Sequence, residues 1–263
     1  MPRSARVPVQ VSRRAARPRP APAAASPRRG RRPGPAPSTR RPAAAVDANT
    51  RSLIFAAAAA EFSRHGFDGA SVDAIARAAH VNKAMLYYHF ASKLGLYREI
   101  VRDMLRAVGA EVTAIAASDA PPPAQIARFV QTLASLKEAR PWFPPLMLRE
   151  MSAGAPHLDA DTLSLLRAVF AAFGGILEAG AAAGVFRRVH PVLAYMSILG
   201  PMMMNAVRER AAAEHGRLNL PLFVPVPAGE LVAHMQHTAL CMLDPARSPG
   251  AAARPAAGAK DRP

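Results

Sequence analysis

The chain has 263 residues, 51% of them hydrophobic, with a formal net charge of +16 and a sequence pI of about 11.4. That is enough chain and apolar content for one or two soluble globular domains, and the basic balance favours nucleic acid or an anionic surface as partner. The single cysteine, Cys241, excludes an intramolecular disulfide and a multi-cysteine zinc site and fits a reducing, cytoplasmic setting.

The charge is unevenly placed. Residues 1–46 hold 12 Arg and no acid, leaving 22 basic against 18 acidic residues, net +4, for 47–263. The stretch "RRAARPRPAPAAASPRRGRRPGPAPSTRRP" has no hydrophobic periodicity and a proline every few residues, so it neither propagates a helix nor buries a core. A disordered basic tail is expected over 1–46. Its composition fits an arm on DNA, a targeting peptide, or a weakly constrained Ala/Arg/Pro-rich extension, and it lacks the apolar segment of a secretory signal. A shorter tail of the same kind is expected over 245–263.

Between the tails, alternating β-branched runs are absent and apolar residues recur at spacings of three and four, which predicts an all-α protein of about nine helices. A first helix is predicted over 47–65, with Ile54, Ala58 and Phe62 on one stripe and Gly66 as a left-handed stop. After the loop "FDGA", Ser71 caps a second, two-turn helix whose apolar face is Val72, Ile75, Ala76 and Ala79. Asn82 caps a third helix, also of about two turns, ending near "FAS". Two short helices joined by a tight turn form a helix-turn-helix candidate.

In the third helix, 100° per residue puts Leu86 and Phe90 on one side and Ala84, Met85 and Tyr88 on the other, with Lys83, Tyr87 and His89 on the flanks. One side docks. The rest suits a DNA groove, because Lys and Tyr reach phosphates or base edges while Ala and Met allow close approach to thymine methyls. In isolation, Tyr87 and Tyr88 also read as ordinary half-buried bundle aromatics.

The longer run settles the direction. "TRSLIFAAAAAEFSRHGFDGASVDAIARAAHVNKAMLYYHFASKLGLYREIV" closely resembles the N-terminal DNA-binding domain of the TetR family of bacterial transcription regulators. The matching features are "F.RHGFDGAS", "SVDAIARAA", "LYYHF" and "SK.GL" in that order. The resemblance implies a DNA-binding domain over 47–93. Ser71 and Val72 would approach the backbone, Asn82 would start the recognition helix, and Lys83, Ala84, Met85 and Tyr87 would read bases. Tyr88, His89 and Lys93 would grip phosphates. Two positions depart from the family pattern: His80 stands where the turn usually has Gly, and Met85 replaces the usual Ser or Thr.

Residues 94–244 are expected to form a helical effector-binding and dimerisation domain. Leu96, Ile100, Met104 and Val108 make an i, i+4 stripe on a fourth helix, which resembles the family's link between domains. "PPPAQIARFVQTLASLKEAR" opens a helix behind prolines, "WFPPLMLREMSAG" is a short bulky apolar segment, and 157–183 reads as a long helix stopped at Gly184. Two last helices are expected at about 190–213 and 228–243. The apolar stretch from Pro191 to Val207 is shorter than the ~20 residues of a membrane span, so no membrane partner is expected.

Phe129, Leu133, Trp142, Phe143, Leu146, Met147, Phe170, Phe173 and Met202 are the candidate lining of a small-molecule cavity, and they equally suit a core. Leu193, Ile198, Leu231, Met235 and Leu240 are the candidate seam of a homodimer. No cofactor or metal is expected. His234, His237 and Cys241, at i, i+3 and i+7, form the alternative of a metal-responsive site, with interface histidines as the plainer reading. No phosphate loop, nucleophile elbow or HExxH pattern is present, and Glu150 with His157, or Asp159 with Asp161, sits in amphipathic or capping contexts. The expected function is a ligand-responsive repressor on a double-stranded operator; a DNA-architectural protein driven by the basic arm is the other class weighed.

Overall fold

The computed structural model describes residues 43–215 and 220–247. The first helix, α1 (Ala43–Gly69), begins inside the stretch expected to be tail. Ile54, Ala58 and Phe62 are fully buried on its inner stripe. Its regular turns stop at Gly66, where φ is 71°, the left-handed conformation that favours glycine. The rest of the expected 1–46 tail and the tail beyond residue 247 lie outside the described residues.

Local capping explains the next three helices. The Ser71 side chain accepts from the Ala74 N–H to open α2 (Val72–Ala78), and the Asn82 side chain accepts from the Met85 N–H at 2.9 Å to open α3 (Lys83–Phe90). His80 makes the turn between them with φ at 55°. It thus adopts the left-handed conformation that glycine takes in the family pattern, at a strain of about 1 kcal/mol. Ser92 caps α4 (Lys93–Ala116), its side chain accepting from the Gly95 N–H at 2.9 Å. A Cβ on Gly95 would fall 2.6 Å from the Phe90 carbonyl oxygen, so glycine is what lets the α3–α4 corner close.

Prolines head α5 (Pro122–Ala139) and α6 (Phe143–Ser152). The bulky segment around "WFPP" is therefore a true helix, with Pro144 and Pro145 in a first turn whose N–H groups have no helical acceptor to lose. Asp159 caps α7 (Ala160–Ala182), which is followed by Gly184 at φ 72°. The last two helices are α8 (Pro191–His215), with Pro201 inside it, and α9 (Ala228–Leu243).

α1, α2 and α3 pack as a three-helix head, and α4 runs from α1 and α3 at one end to α5 and α7 at the other. The expected boundary at 93/94 is therefore a corner bridged by packing on both sides. α7 is long and apolar enough to cross a membrane by length and mean hydropathy, 1.5. Here it is a bundle helix, packed on α4, α5 and α8. α9 packs on α5 and α8, and α6 lies between α1 and α8.

Candidate nucleic-acid interface and apolar cavity

α3 is held by Leu86 and Phe90, both buried in the core. Asn82, Lys83, Ala84, Tyr87 and Tyr88 are exposed, Tyr88 at 73%. Tyr87 is 43% exposed, and Tyr88 meets the His89 ring edge-on at 5.1 Å, so α3 carries an outward aromatic pair beside its buried face. Met85 is half-buried against the core, so it offers only part of its side chain, and Val72 is half-buried at the head of α2. The Ser71 hydroxyl is engaged as the α2 cap, while its N–H donates to Glu61 at 3.3 Å. Lys83 Nζ lies 3.1 Å from Asp73 Oδ1. Such an exposed pair is weak and exchangeable for a phosphate. Lys93 Nζ sits 4.6 Å from the centre of the Phe67 ring and donates to the Asp68 carbonyl.

His89 departs from its expected role as a phosphate contact. Its side chain is only 5% exposed, with Nε2 3.5 Å from Asp47 Oδ1 of α1. Helical geometry is the reason: His89 lies 60° from the buried Leu86 stripe, on the side where α1 passes. Its ring is packed on the α1 side of α3 and makes no hydrogen bond at Nε2 among the described residues.

A cavity of about 310 Å³ opens between α4, α5, α6, α7 and α8. Of the candidate lining residues, Leu133, Phe143, Met147, Phe170 and Met202 face it. Phe129 and Phe173 are instead packed against each other in the core at 4.7 Å, and Leu146 is buried away from the cavity. Trp142 lines a separate polar cleft bounded by α1 and α8, and meets Phe55 edge-on at 6.4 Å. The stripe residues Met104 and Val108 of α4 also face the cavity, as do Leu148 and Met151 of α6 and Tyr195 of α8. Lys137 is the one charged side chain in the lining.

α6 has a second face. Arg149 Nη1 donates to the Arg64 carbonyl at 3.4 Å, and Arg210 Nη1 of α8 donates to the Ser63 carbonyl at 3.2 Å. Both carbonyls belong to the last regular turn of α1, which carries unsatisfied acceptors and the negative end of the helix dipole. A Cβ on Gly66 would meet Arg149 Cδ at 2.8 Å, so the glycine stop also lets the arginine lie across the helix end. Beside it, the Tyr97 hydroxyl donates to Glu150 Oε2 at 2.8 Å, His157 Nδ1 is 2.9 Å from the same oxygen, and the His157 N–H donates to Oε1. Phe67 covers this group, its ring centre 4.1 Å from that of His157.

Burial pushes the Glu150 carboxyl up, but the hydrogen bonds from His157 and Tyr97 outweigh it and leave the group below its ordinary value. Burial, and then the bond to Glu150, drive the Tyr97 hydroxyl far above its usual range. Hydrogen bonds from Thr162 and the Arg102 guanidinium hold Asp159 well below the usual carboxylate range. Glu150 and His157 thus form a closed structural network that does not line the cavity.

Of the candidate seam, Ile198 and Met235 are buried within their own chain, at 1% and 3% exposure, while Leu231 and Leu240 are half-buried against the core. Leu193 is exposed at 67%. The helical period is the same for the two sides of α8, and the structure shows that Leu193, Met196, Met204 and Val207 form the outward apolar stripe. On α9, His234 and His237 are exposed. Cys241 Sγ lies 3.5 Å from His237 Nε2, but no three metal-ligating side chains converge among the described residues. The metal-responsive alternative is left with two ligands.

Residues 54–100 match the family of bacterial regulatory proteins, tetR family, and residues 122–214 match a tetracyclin repressor-like C-terminal domain. The HTH-type transcriptional regulator RutR of Escherichia coli K12 is 31% identical over 147 residues, 54% of this chain and 68% of RutR. The HTH-type transcriptional repressor SCO4008 of Streptomyces coelicolor is 42% identical over 52 residues, 20% of this chain and 27% of that protein. Among solved structures, the TetR family regulator PfmR from Thermus thermophilus superposes with a TM-score of 0.58 at 26% identity, over 73% of this chain and 98% of its own. The ketosteroid transcriptional regulator KstR2 of Mycobacterium tuberculosis shares the fold, with a TM-score of 0.59 at 20% identity, over 74% of this chain and 94% of its own. The chain belongs to the TetR family: it is a non-enzymatic, DNA-binding transcription regulator with an N-terminal helix-turn-helix head and a C-terminal helical domain.

Proposed function

We propose that this chain acts as a homodimeric repressor on a palindromic operator and is released from it by a small apolar effector bound in the cavity. The observation that carries the reading is the double engagement of α6. One face, through Met147, Leu148 and Met151, lines the cavity; the other, through Arg149 and Glu150, holds the end of α1 and the Tyr97–His157 network. A ligand that prefers a shifted α6 therefore displaces the frame on which α2 and α3 stand, and lowers DNA affinity by its differential affinity for the two arrangements.

The dimer follows from reading length. One recognition helix of eight residues touches too few base pairs to find a site in a genome, so two copies related by a twofold axis are needed. The exposed stripe Leu193, Met196, Met204 and Val207 on α8 supports a seam there, and His234 and His237 of the neighbouring helix α9 are exposed as well. In this reading Ser71, Lys83, Ala84, Tyr87, Tyr88 and Lys93 meet DNA, and His89 braces the helix from behind. Selecting bound sequences from random DNA with the full chain, then titrating apolar small molecules against the selected duplex, tests it. A palindromic site released by an apolar compound is the expected outcome; an asymmetric single half-site, or a site that no cavity-binding compound releases, would refute it.

A further inference from the structure

The cavity walls consist of Met, Leu, Val, Phe and Pro side chains and Gly200, with two polar exceptions: Lys137 of α5 and Tyr195 of α8. Lys137 is already engaged, its Nζ 2.8 Å from Glu209 Oε2. Glu209 lies fourteen residues beyond Tyr195 on the same helix, a backbone rise of about 21 Å.

Tyr195 is different. It is 4% exposed, and its ring is wedged among Phe170, Phe173 and Phe129 at centroid distances of 4.2, 5.5 and 6.1 Å. Tyr195 lines the cavity, where it is the one uncharged side chain with a polar hydrogen to offer. Packing on this ring fixes where the hydroxyl stands. Burial pushes its pKa up to about 12, so it stays protonated and offers a donor. At the wall of an otherwise apolar cavity, such a donor favours a ligand that brings an acceptor to it over one that does not.

Resting on the effector-cavity reading above, we infer that the cavity takes an uncharged, mainly hydrocarbon molecule carrying one hydrogen-bond acceptor, a carbonyl or ether-type oxygen, that docks on the Tyr195 hydroxyl. Charged ligands are disfavoured for two reasons. An anion would have to take Lys137 from Glu209, and a cation would find no acidic side chain in the lining.

The test is calorimetric titration of the full chain with 2-octanone, octane, octanoate and octylammonium, in wild type and Tyr195→Phe, with operator affinity measured in parallel. Phe keeps the ring and its packing, and a thermal melt verifies the fold. Wild type is expected to bind 2-octanone about tenfold tighter than octane, the worth of one hydrogen bond to a buried donor, and to bind both ions more weakly than the ketone. In Tyr195→Phe the ketone preference falls to near unity while octane affinity stays within about threefold. The inference is overturned if Tyr195→Phe keeps the preference, if octanoate or octylammonium binds tightest, or if none of the four binds. Tyr195-dependent ketone binding that leaves operator affinity unchanged supports this inference and refutes the release mechanism, so the two fail separately.

Discussion

α3 and α6 are short helices of eight and ten residues, and both present two working faces. α3 turns Leu86 and Phe90 into the head and Tyr87 and Tyr88 out to solvent, so its partner lies outside the chain. α6 is occupied on both sides by its own chain, lining the cavity with Met147 and Leu148 and reaching α1 with Arg149. The outward face of α3 is written in consecutive residues; the transmitting role proposed for α6 rests only on what the rest of the fold brings beside it.

The sharpest way to break this contrast is to strike the two faces of α3 separately. Tyr87→Ala removes a contact in each half of a dimer, at ~1–3 kcal/mol apiece, so operator binding should fall by roughly 10² to 10⁴ with little change in unfolding. Leu86→Ala should instead destabilise the head by ~2–5 kcal/mol, read by denaturant unfolding. Tyr87→Ala that unfolds the head, with binding intact per folded molecule, would make Tyr87 a core residue.

The next effect concerns assembly. Leu193→Glu with Met204→Glu places charge on the exposed α8 stripe and should give folded monomers by sedimentation that lose specific operator binding. A charge at Met235 should unfold the chain, since that side chain is buried. Double-Glu variants that still sediment as dimers would move the seam elsewhere.

A smaller effect lies at the α4–α7 junction. Asp159 caps α7 and pairs with Arg102, with its carboxyl held below the ordinary value by Thr162 and Arg102. Asp159→Ala should cost ~0.5–2 kcal/mol at neutral pH. Because the folded pKa is depressed, that contribution is complete above the unfolded carboxylate pKa and is lost as the pH falls through the folded one. The deficit against wild type should therefore shrink below about pH 4 in urea unfolding; a deficit constant with pH would mean that the charge is irrelevant.

Much of the head is legible because its signals are local. Ser71 and Asn82 precede their helices by one residue, Gly66 and Gly184 mark stops, and Leu86 with Phe90 declares the docking side. His89 escapes that reading because its neighbour Asp47 comes from α1, far away in sequence. The same holds for the cavity. Periodicity says that Phe129, Phe173 and Met202 lie on inner faces, but not that two of them meet other rings while the third meets open space. Ile198 and Leu193 are both apolar residues of α8, and only the packed bundle shows which one faces inward. Arg149 and Arg210 look like solvated charges until the end of α1 lies under them.

The most direct measurement of the central claim is the coupling between cavity and operator in wild type and in Arg149→Ala/Arg210→Ala. Operator Kd is determined with and without a saturating cavity ligand found by the titrations above. The account predicts that the ligand weakens operator binding of the wild type by tenfold or more, a coupling of about 1.4 kcal/mol, and that the double variant binds the same ligand but changes operator affinity by less than about threefold. Equal weakening in both proteins would contradict transmission through the grip of α6 and α8 on α1.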